Sequence, residues 1–368
     1  MQLTHLALSN FRNYAELDLD PSAGLNVFVG ANAQGKSNLL EAIAMLGTGK
    51  SFRTSRDGDT VREGVELAVV RGDARVRAGT VRLACTIAKS SRGTRKTYTV
   101  NERPVRYATF LGKVRVVTFV PSDLALASGP PAGRRALLNV ALAQEGTRYY
   151  GDLARYRKTL AQKNALLRGT VAPDPELLEI YDRTLVEAGS ALMLARDHFV
   201  RALAPPAAAA HRRFSNGAER LDVAYAPDVV FETPTADGVA AAFAARLRQC
   251  ADAERARKTA VCGPHRDDVT LALDGRSLAA FGSQGQQRTA VLALKVAEYG
   301  VMRERAGEAP LLLLDDVLSE LDRDRAAAFL SGIGEYEQAF VTATNLPPGL
   351  PAGVRTYVVE DARVRTAA

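Results

Sequence analysis

The amino-acid sequence predicts an α/β protein whose sheet-forming parts are separated by a helical insertion. Apolar runs typical of buried strands alternate with helical patterns in residues 1–120 and again in residues 262–368. Residues 121–261 are instead alanine-rich and helical in pattern, with proline pairs at 130–131 and 205–206 that predict helix breaks. We therefore predict a sheet-containing N-terminal part, a helical lobe and a sheet-containing C-terminal part.

The first part contains a half-buried strand, a short buried strand and a hairpin. LTHLALSNF, residues 3–11, alternates apolar and polar side chains, as expected of a strand with one buried face. Residues 25–29 form an apolar run that ends at Gly30. The segments 81–87 and 96–100 flank the turn-rich sequence KSSRGTR, and this arrangement predicts a hairpin.

The third part returns to strands. VTLALDGRSL, residues 269–278, contains the dipeptide Asp274-Gly275, a strong hairpin signal. A helix is predicted to follow from Ser283. The apolar runs LLLLDD at 311–316 and AFVTAT at 339–344 then predict two buried strands. Strands that alternate with helices in this way favour a parallel sheet.

Composition restricts the class of protein. The 368 residues carry 48 basic and 41 acidic side chains, and the net charge of +7 is compatible with nucleic-acid binding without demanding it. The three cysteines, at 85, 250 and 262, argue against a disulfide framework and against a cysteine-based zinc site. No apolar run reaches the ~20 residues of a membrane span, and the opening MQLTHLALSNFRNY lacks a signal-peptide pattern. We therefore expect a cytoplasmic protein without membrane contact.

The strongest motif is GANAQGKS at residues 30–37, which fits the phosphate-binding loop template G-x-x-x-x-G-K-[ST]. An apolar strand enters it and a helical pattern leaves it, the context that such a loop requires. Lys36 is predicted to neutralise the β- and γ-phosphates of ATP, and Ser37 to ligate Mg²⁺. The alternative, a glycine-rich turn without a ligand, is disfavoured by these flanks. The predicted nucleotide-binding residues are Gly30, Ala31, Asn32, Ala33, Gln34, Gly35, Lys36, Ser37 and Asn38.

Two carboxylates end the buried run LLLLDD. In open α/β sheets, ligands bind at the carboxyl edge of the strands, which is where Asp315 and Asp316 would lie. We predict that Asp315 holds Mg²⁺ through water and that Asp316 orients or deprotonates the attacking water. The alternative is an aspartate pair that caps the next helix, but the phosphate-binding loop in the same chain favours the catalytic interpretation.

A glycine in the first turn of a predicted helix gives the third indication. Ser283 and Gln286 form a capping-box pattern, yet Gly285 between them costs about 1 kcal/mol relative to alanine. ABC-type ATPases use such a loop at a helix N-terminus to contact the γ-phosphate bound on a second protomer, and glycine permits close approach. We therefore predict that Ser283, Gly285 and Gln286 bind nucleotide in this way, with Ser283 catalytic beside Lys36 and Asp316. A plain capping box with a tolerated glycine is the alternative. The predicted fold is an ABC-type P-loop ATPase head with an inserted helical second domain.

The order of these motifs resembles that of the RecF family of bacterial recombinational repair proteins, relatives of the Rad50 and SMC head domains. The blocks that carry the resemblance are NFRNY at 10–14, GANAQGKSNLLEAI from 30, KSFR at 50–53, GPPAGRRALLN at 129–139, GPHRDD at 263–268, SQGQQR at 283–288 and LLLLDDVLSELD at 311–322.

This resemblance implies a function in DNA repair, DNA replication and the response to DNA damage. It implies an ATP-dependent DNA-binding protein that dimerises head to head around two nucleotides and acts as a weak, DNA-stimulated ATPase. Its DNA would be duplex or a junction of single and double strands. The implied partners are RecR and RecO, which it would help to load recombinase at gapped DNA and stalled forks.

Two departures from the wider ABC pattern predict slow hydrolysis. Asp316 stands where most ABC ATPases have the longer glutamate, and no histidine follows the strand AFVTAT, so Thr342 or Thr344 would have to serve. The region around residues 121–123 is where we place the counterpart of the Q-loop, the glutamine-containing segment of ABC ATPases.

The middle segment admits two arrangements. The favoured one is a compact helical lobe packed on the ATPase; the other is a protruding arm that contacts DNA. The pattern behind both is a seam with alternating spacings of three and four residues, formed by Leu178, Tyr181, Leu185, Ala188, Leu192, Ala195 and Phe199.

Candidate DNA contacts are basic clusters outside the ATPase motifs. Arg92, Arg95 and Lys96 lie on the predicted hairpin, and Arg134 and Arg135 follow the Pro-Pro break. A third cluster lies along the helical pattern 148–168. The alternative for each cluster is an ordinary solvated face.

Two other functions fit a P-loop with a signature segment. The first is the ATPase subunit of a transporter, which the long helical insertion between Ser37 and Ser283 disfavours. The second is an SMC-like scaffold, which the lack of room for a long coiled coil disfavours.

Overall fold

The computed structural model describes residues 1–91, 93–170, 173–317, 336–346, 350 and 353–367. In chain order the strands are β1 (Gln2–Phe11), β2 (Tyr14–Leu19), β3 (Gly24–Val29), β4 (Leu67–Val76), β5 (Gly79–Ser90), β6 (Gly93–Val100), β7 (Arg103–Val105), β8 (Val116–Phe119), β9 (Leu221–Ala226), β10 (Asp268–Leu273), β11 (Arg276–Ser277), β12 (Leu311–Asp315), β13 (Gln338–Ala343), β14 (Arg355–Glu360) and β15 (Arg363–Thr366).

The helices are α1 (Lys36–Thr48), α2 (Tyr107–Phe110), α3 (Ala125–Ser128), α4 (Pro131–Glu145), α5 (Thr147–Leu167), α6 (Pro175–Phe214), α7 (Ala236–Arg257), α8 (Leu278–Phe281) and α9 (Gln284–Ala306). Short 3₁₀ turns lie at Asp57–Thr60 and Pro121–Leu124. No helix in the described part of the chain combines the length and the apolar character that a bilayer span requires.

A six-stranded sheet in the order β15-β14-β3-β13-β12-β8 forms the centre of the ATPase-like part. Its strands run parallel except for β15, which pairs antiparallel with β14 at the edge. Every residue of β12 and β13 is buried, as expected of central strands covered on both faces. The α/β class and the strand assignments for 25–29, LLLLDD and AFVTAT are therefore confirmed.

A second, antiparallel sheet in the order β2-β1-β4-β5-β6-β7 faces the first across helix α1. Residues of α1 from Leu39 to Gly47 are buried, and they share one apolar core with side chains of both sheets. The predicted hairpin is present as the pair β5–β6. Helix α1 is therefore fixed from two sides.

A third sheet, β11-β10-β9, joins the helical insertion to the C-terminal part. The hairpin β10–β11 turns at Asp274 and Gly275, whose φ angles of 48° and 77° are those of the predicted two-residue turn. Strand β9 lies within the predicted lobe of residues 121–261, yet it pairs with β10 beyond it. The domain boundaries themselves stay a prediction.

The two proline pairs behave differently. Pro131 occupies the first turn of α4, where the missing N–H of proline has no helical role. Pro205 and Pro206 lie inside α6, so the break predicted at 205–206 is wrong. The helix continues because the surrounding Leu203, Ala207 and other apolar residues of the same turns are buried in the core of the lobe.

The seam predicted in the middle segment packs inward. Leu185, Ala188, Leu192 and Phe199 of α6 are buried, and α6 contacts α5, α7, α9 and β9. This packing is that of a compact lobe. Lys163 of α5 is buried too, and its ammonium pairs with Asp182 and Glu254 at 2.5 and 2.6 Å.

The block GPHRDD connects the helices of the lobe to β10. Asp267 is fully buried and accepts hydrogen bonds from Arg196 at 2.7 Å and from the Tyr225 hydroxyl. His265 Nδ1 lies 2.7 Å from the Tyr156 hydroxyl on α5, and burial lowers the pKa of this histidine to about 4. The imidazole is therefore neutral near pH 7, and both His265 and Asp267 are held by contacts inside the protein.

We predict that Asp267→Asn destabilises the protein by about 3–5 kcal/mol, because the guanidinium of Arg196 would stay buried without its counter-charge. Urea unfolding followed by circular dichroism measures this. The matched control is Asp252→Asn, whose carboxylate pairs with Arg255 but is 98% exposed, so its loss should stay below about 0.5 kcal/mol. Equal midpoints for the two variants would contradict the structural role of GPHRDD.

Candidate nucleotide site

A cavity of about 300 Å³ lies at the carboxyl edge of the parallel sheet. It brings together the two segments that the sequence predicts to meet there, the loop after β3 and the end of β12. Its lining residues are Asn13, Asn32, Ala33, Gly35, Lys36, Ser37, Asn38, Arg53, Asp316 and Thr342.

Two glycines of the loop are required by close contacts. Gly30 has a φ of 158°, and a Cβ there would lie 2.2 Å from the carbonyl oxygen of Val359. Gly35 has a φ of 116°, and a Cβ there would lie 2.9 Å from the Asn13 amide nitrogen. Both positions exclude a side chain, so the loop can follow its tight path only with glycine.

Lys36 is largely buried at the start of α1. Its ammonium donates to the carbonyl oxygens of Gly30 and Ala31 at 2.7 and 2.8 Å, which leaves one of its three donors to face the cavity. Burial lowers the pKa of Lys36, whereas the carboxylates of Asp316 and Asp315 act to raise it. A cation held this way at a helix N-terminus is suited to bind phosphate.

Thr342 links the two aspartates across the sheet. It lies opposite Asp315 in the parallel register of β12 and β13. Its hydroxyl donates to Asp315 Oδ1 at 2.8 Å and accepts from the Asp316 backbone N–H at 2.9 Å. Asp316 takes a left-handed conformation with φ of 53°, which turns the chain at the cavity wall. Thr342 is therefore a site residue, whereas Thr344 does not line the cavity.

Arg53 and Asn13 are site residues to which the sequence analysis assigned no role. Arg53 donates to Asn38 Oδ1 at 2.5 Å, and the Asn38 amide donates to Asn13 Oδ1 at 2.8 Å. Glu41, fully buried on α1, lies beneath them and pairs with Arg12 through two hydrogen bonds of 2.8 and 2.6 Å. The available signal was the position of these polar residues in NFRNY and KSFR, two blocks that flank the P-loop.

The signature segment has the predicted capping box. Ser283 is the N-cap of α9; its hydroxyl accepts from Gln286 N at 3.2 Å, and Gln286 Oε1 accepts from Ser283 N at 2.6 Å. Gly285 lies in the first turn, and Ser283 is exposed. Among the described residues that line the 300 Å³ cavity, none belongs to this segment. The signature segment therefore takes no part in the cavity that contains Lys36.

One further part of the predicted site, the Q-loop counterpart, is not in this cavity. The segment proposed as the Q-loop counterpart forms a 3₁₀ turn in which Asp123 accepts a hydrogen bond from Val120 N at 2.9 Å, and it does not reach the cavity lining. The sequence SELD at 319–322 lies outside the described residues.

Three of the candidate DNA contacts, Arg134, Arg135 and Lys96, make hydrogen bonds or ion pairs inside the protein. Arg134 is buried and pairs with both carboxylate oxygens of Asp268 at 2.7 and 2.8 Å, and Arg135 donates to the Asp267 backbone at 2.7 Å. The ammonium of Lys96 pairs with Asp57 at 2.7 Å.

Arg134 and Lys96 are therefore poor DNA ligands, because a phosphate would have to displace a carboxylate in a partly buried site. Arg95 is exposed on β6, and Arg92 lies outside the described residues.

Relatives of known identity cover almost the whole chain. Residues 2–348 match the family model described as the RecF/RecN/SMC N terminal domain. The DNA replication and repair protein RecF of Symbiobacterium thermophilum is 44% identical over 348 residues, which is 94% of this chain and 92% of that protein. RecF of Geobacillus thermodenitrificans is 36% identical over 368 residues, which is 99% of this chain and 97% of that protein.

Solved structures agree with these relatives. A structure of the recombination mediator protein RecF-ATP in the RecFOR pathway has a TM-score of 0.91 at 31% identity, covering 100% of this chain and 98% of that one. An Smc head bound to the C-winged helix domain of ScpA has a TM-score of 0.56 at 16% identity, over 100% of this chain and 97% of that one, which shows the shared fold. With its ABC-type head fold and these relatives, the chain belongs to the RecF family.

Proposed function

We propose that this protein is an ATP-dependent DNA-binding protein of recombinational repair and replication-fork maintenance, in which ATP drives homodimerisation. The observation that supports the proposal is that the signature segment does not line the cavity that contains Lys36. Lys36 lines the 300 Å³ cavity, whereas Ser283 is the exposed N-cap of α9 and is not among the lining residues. An ATP molecule held by both segments would need two copies of the chain.

The loop of residues 30–38 would hold the phosphates of ATP. The loop leads into the N-terminus of α1, where free backbone N–H groups would bind phosphate, and Lys36 would pair with the β- and γ-phosphates. The Ser37 hydroxyl and, through water, the Asp315 carboxylate would supply the oxygen ligands that Mg²⁺ prefers, and Thr342 fixes the orientation of Asp315. Bound Mg²⁺ would neutralise phosphate charge. Arg53, 47% exposed at the cavity rim, supplies a further cation.

Hydrolysis would be slow and would act as a switch. Asp316 would orient the attacking water, but its side chain is one methylene shorter than that of glutamate. The Thr342 hydroxyl is engaged with Asp315 and with the Asp316 backbone, so it does not replace a water-orienting histidine. We expect turnover well below the median enzyme value of about 10 s⁻¹.

The dimer would place Ser283 of one protomer against the γ-phosphate bound by its partner. The hydroxyl of Ser283 and the N-terminus of α9 form an exposed, electropositive helix end. Gly285 in the first turn lets the phosphate approach the backbone closely. ADP lacks the γ-phosphate and would not form this bridge.

A second cavity is the proposed DNA-binding surface. This cavity, of about 560 Å³, shares Arg53 with the nucleotide cavity and is also lined by Lys50 and Lys96. The pKa of Lys50 is lowered, first by burial and then by the nearby charges of Arg157 and Lys96. Because Lys96 is paired with Asp57 and Arg53 is assigned to the nucleotide, we assign contact with DNA phosphate to Lys50 and Arg157.

The DNA would be duplex or a junction of single and double strands, and the ATPase would respond to it. We extend the proposal to RecR and RecO as partners because a similar structure is described within the RecFOR pathway. In that role the protein would help to load recombinase at gapped DNA.

We predict that ATP, but not ADP, converts the protein from monomer to dimer, because a ligand bridging two chains shifts the equilibrium toward the dimer. Sedimentation velocity in each nucleotide measures this. Ser283→Arg would place a bulky cation where the phosphate docks, so we expect this variant to bind ATP and to stay monomeric. A single mass for the wild-type protein in both nucleotides, or an ATP dimer of the variant, would contradict the signature assignment.

We predict that Lys50→Glu combined with Arg157→Glu weakens duplex binding on the order of tenfold at low salt and lowers the salt slope by about 2. Fluorescence anisotropy over a salt series measures both quantities. The control, Arg246→Glu with Arg248→Glu, makes the same charge change on exposed positions of α7. Equal losses in the two double variants would mean that net charge alone governs binding.

A further inference from the structure

The side chain of Gln286 is held at both ends. Its amide oxygen accepts from Ser283 N at 2.6 Å and so closes the capping box. Its amide nitrogen donates to Glu219 Oε1, also at 2.6 Å. The box at the signature segment therefore includes a third residue that lies far away in the sequence.

Glu219 selects one of the two orientations of the Gln286 amide. A carboxylate only accepts hydrogen bonds, so it must face the amide nitrogen. In the reversed orientation the amide oxygen would face the Glu219 carboxylate, so two acceptors would meet. The amide nitrogen would face the Ser283 N–H, so two donors would meet. The observed orientation is the one that satisfies all three groups.

The surroundings of Glu219 preserve its role as an acceptor. Its side chain is 24% exposed, and Oε2 lies 4.0 Å from Nε2 of His211. His211 is fully buried near the end of α6, and burial lowers its pKa, so the imidazole is neutral at neutral pH. Glu219 itself lies on the loop between α6 and β9. The contact thus connects the signature segment to the loop that follows the longest helix of the lobe.

We propose that Glu219 is a positioning residue for the nucleotide-bridged dimer, and this inference rests on the proposed function. By fixing the Gln286 amide, Glu219 keeps the N–H groups of Ser283 and Gln286 satisfied within the capping box. The N–H groups of Gln284 and Gly285, which have no partner within the first turn of a helix, and the proton of the Ser283 hydroxyl would then be left to donate to a ligand. They form the surface on which the partner's γ-phosphate docks.

The test compares two replacements of Glu219. Glu219→Met keeps the side-chain volume and removes the acceptor, and we expect the dissociation constant of the ATP dimer to rise about tenfold. Glu219→Gln keeps an acceptor oxygen, so we expect it to restore dimerisation to within about threefold of wild type. Both variants should bind a fluorescent ATP analogue as monomers with wild-type affinity, because the phosphate-binding loop is untouched.

Hydrogen exchange of residues 281–288 in the monomer gives a second readout. Exchange should accelerate in Glu219→Met and stay slow in Glu219→Gln. Unchanged exchange in Glu219→Met, or a dimer as tight as wild type, would overturn the positioning role while the proposed function stands. Tighter dimers in both variants would also overturn the positioning role, because they would mean that the negative charge of Glu219 repels the partner's γ-phosphate. If wild type forms no ATP-dependent dimer, the proposed function fails and this inference fails with it.

Discussion

Packing of helix α1 between two sheets is the constraint on which the nucleotide site depends. The helix begins at Lys36, and its apolar residues are buried against the parallel and the antiparallel sheet. The fit is close: a Cβ on Gly72 of β4 would lie 2.4 Å from Leu46 of α1, and a Cβ on Gly47 would lie 2.8 Å from Val116 of β8. Any shift of α1 would carry the phosphate-binding loop with it, so the core sets the position of Lys36.

Two buried carboxylates, those of Glu41 and Asp315, make contacts that fix side chains near the cavity. Glu41 on α1 pairs with Arg12. Asn38 on the same helix accepts a hydrogen bond from Arg53, and this contact holds the Arg53 guanidinium at the rim of the cavity. Across the sheet, Thr342 fixes Asp315. These contacts fix the side chains of the cavity wall within one chain. The signature segment at the N-terminus of α9 is not among the residues that line this cavity. In the proposed dimer the partner supplies this segment, so nucleotide binding and assembly become one process.

Features encoded by neighbouring residues could be predicted from the sequence, whereas those set by distant contacts could not. The loop after β3, the Asp274-Gly275 hairpin and the Ser283–Gln286 capping box depend on local geometry and are present as predicted. The helix break predicted at Pro205 is absent because burial of the neighbouring residues overrides the helix-breaking tendency of proline. Arg134 was assigned to DNA because the sequence does not reveal its pairing with Asp268 across 134 positions. The role of Arg53 could not be predicted because it depends on the contact with Asn38 that forms in the folded chain.

The central claim, that each ATP site is completed by a second copy of the chain, is tested most directly by mixing two inactive variants. Lys36→Ala removes the phosphate-binding cation, and Ser283→Arg blocks the signature segment. In a mixed dimer one site carries both defects and the other carries neither. We therefore expect ATP turnover to appear on mixing although neither variant hydrolyses ATP alone. A mixture as inactive as its components, in the presence of demonstrated mixed dimers, would contradict the account.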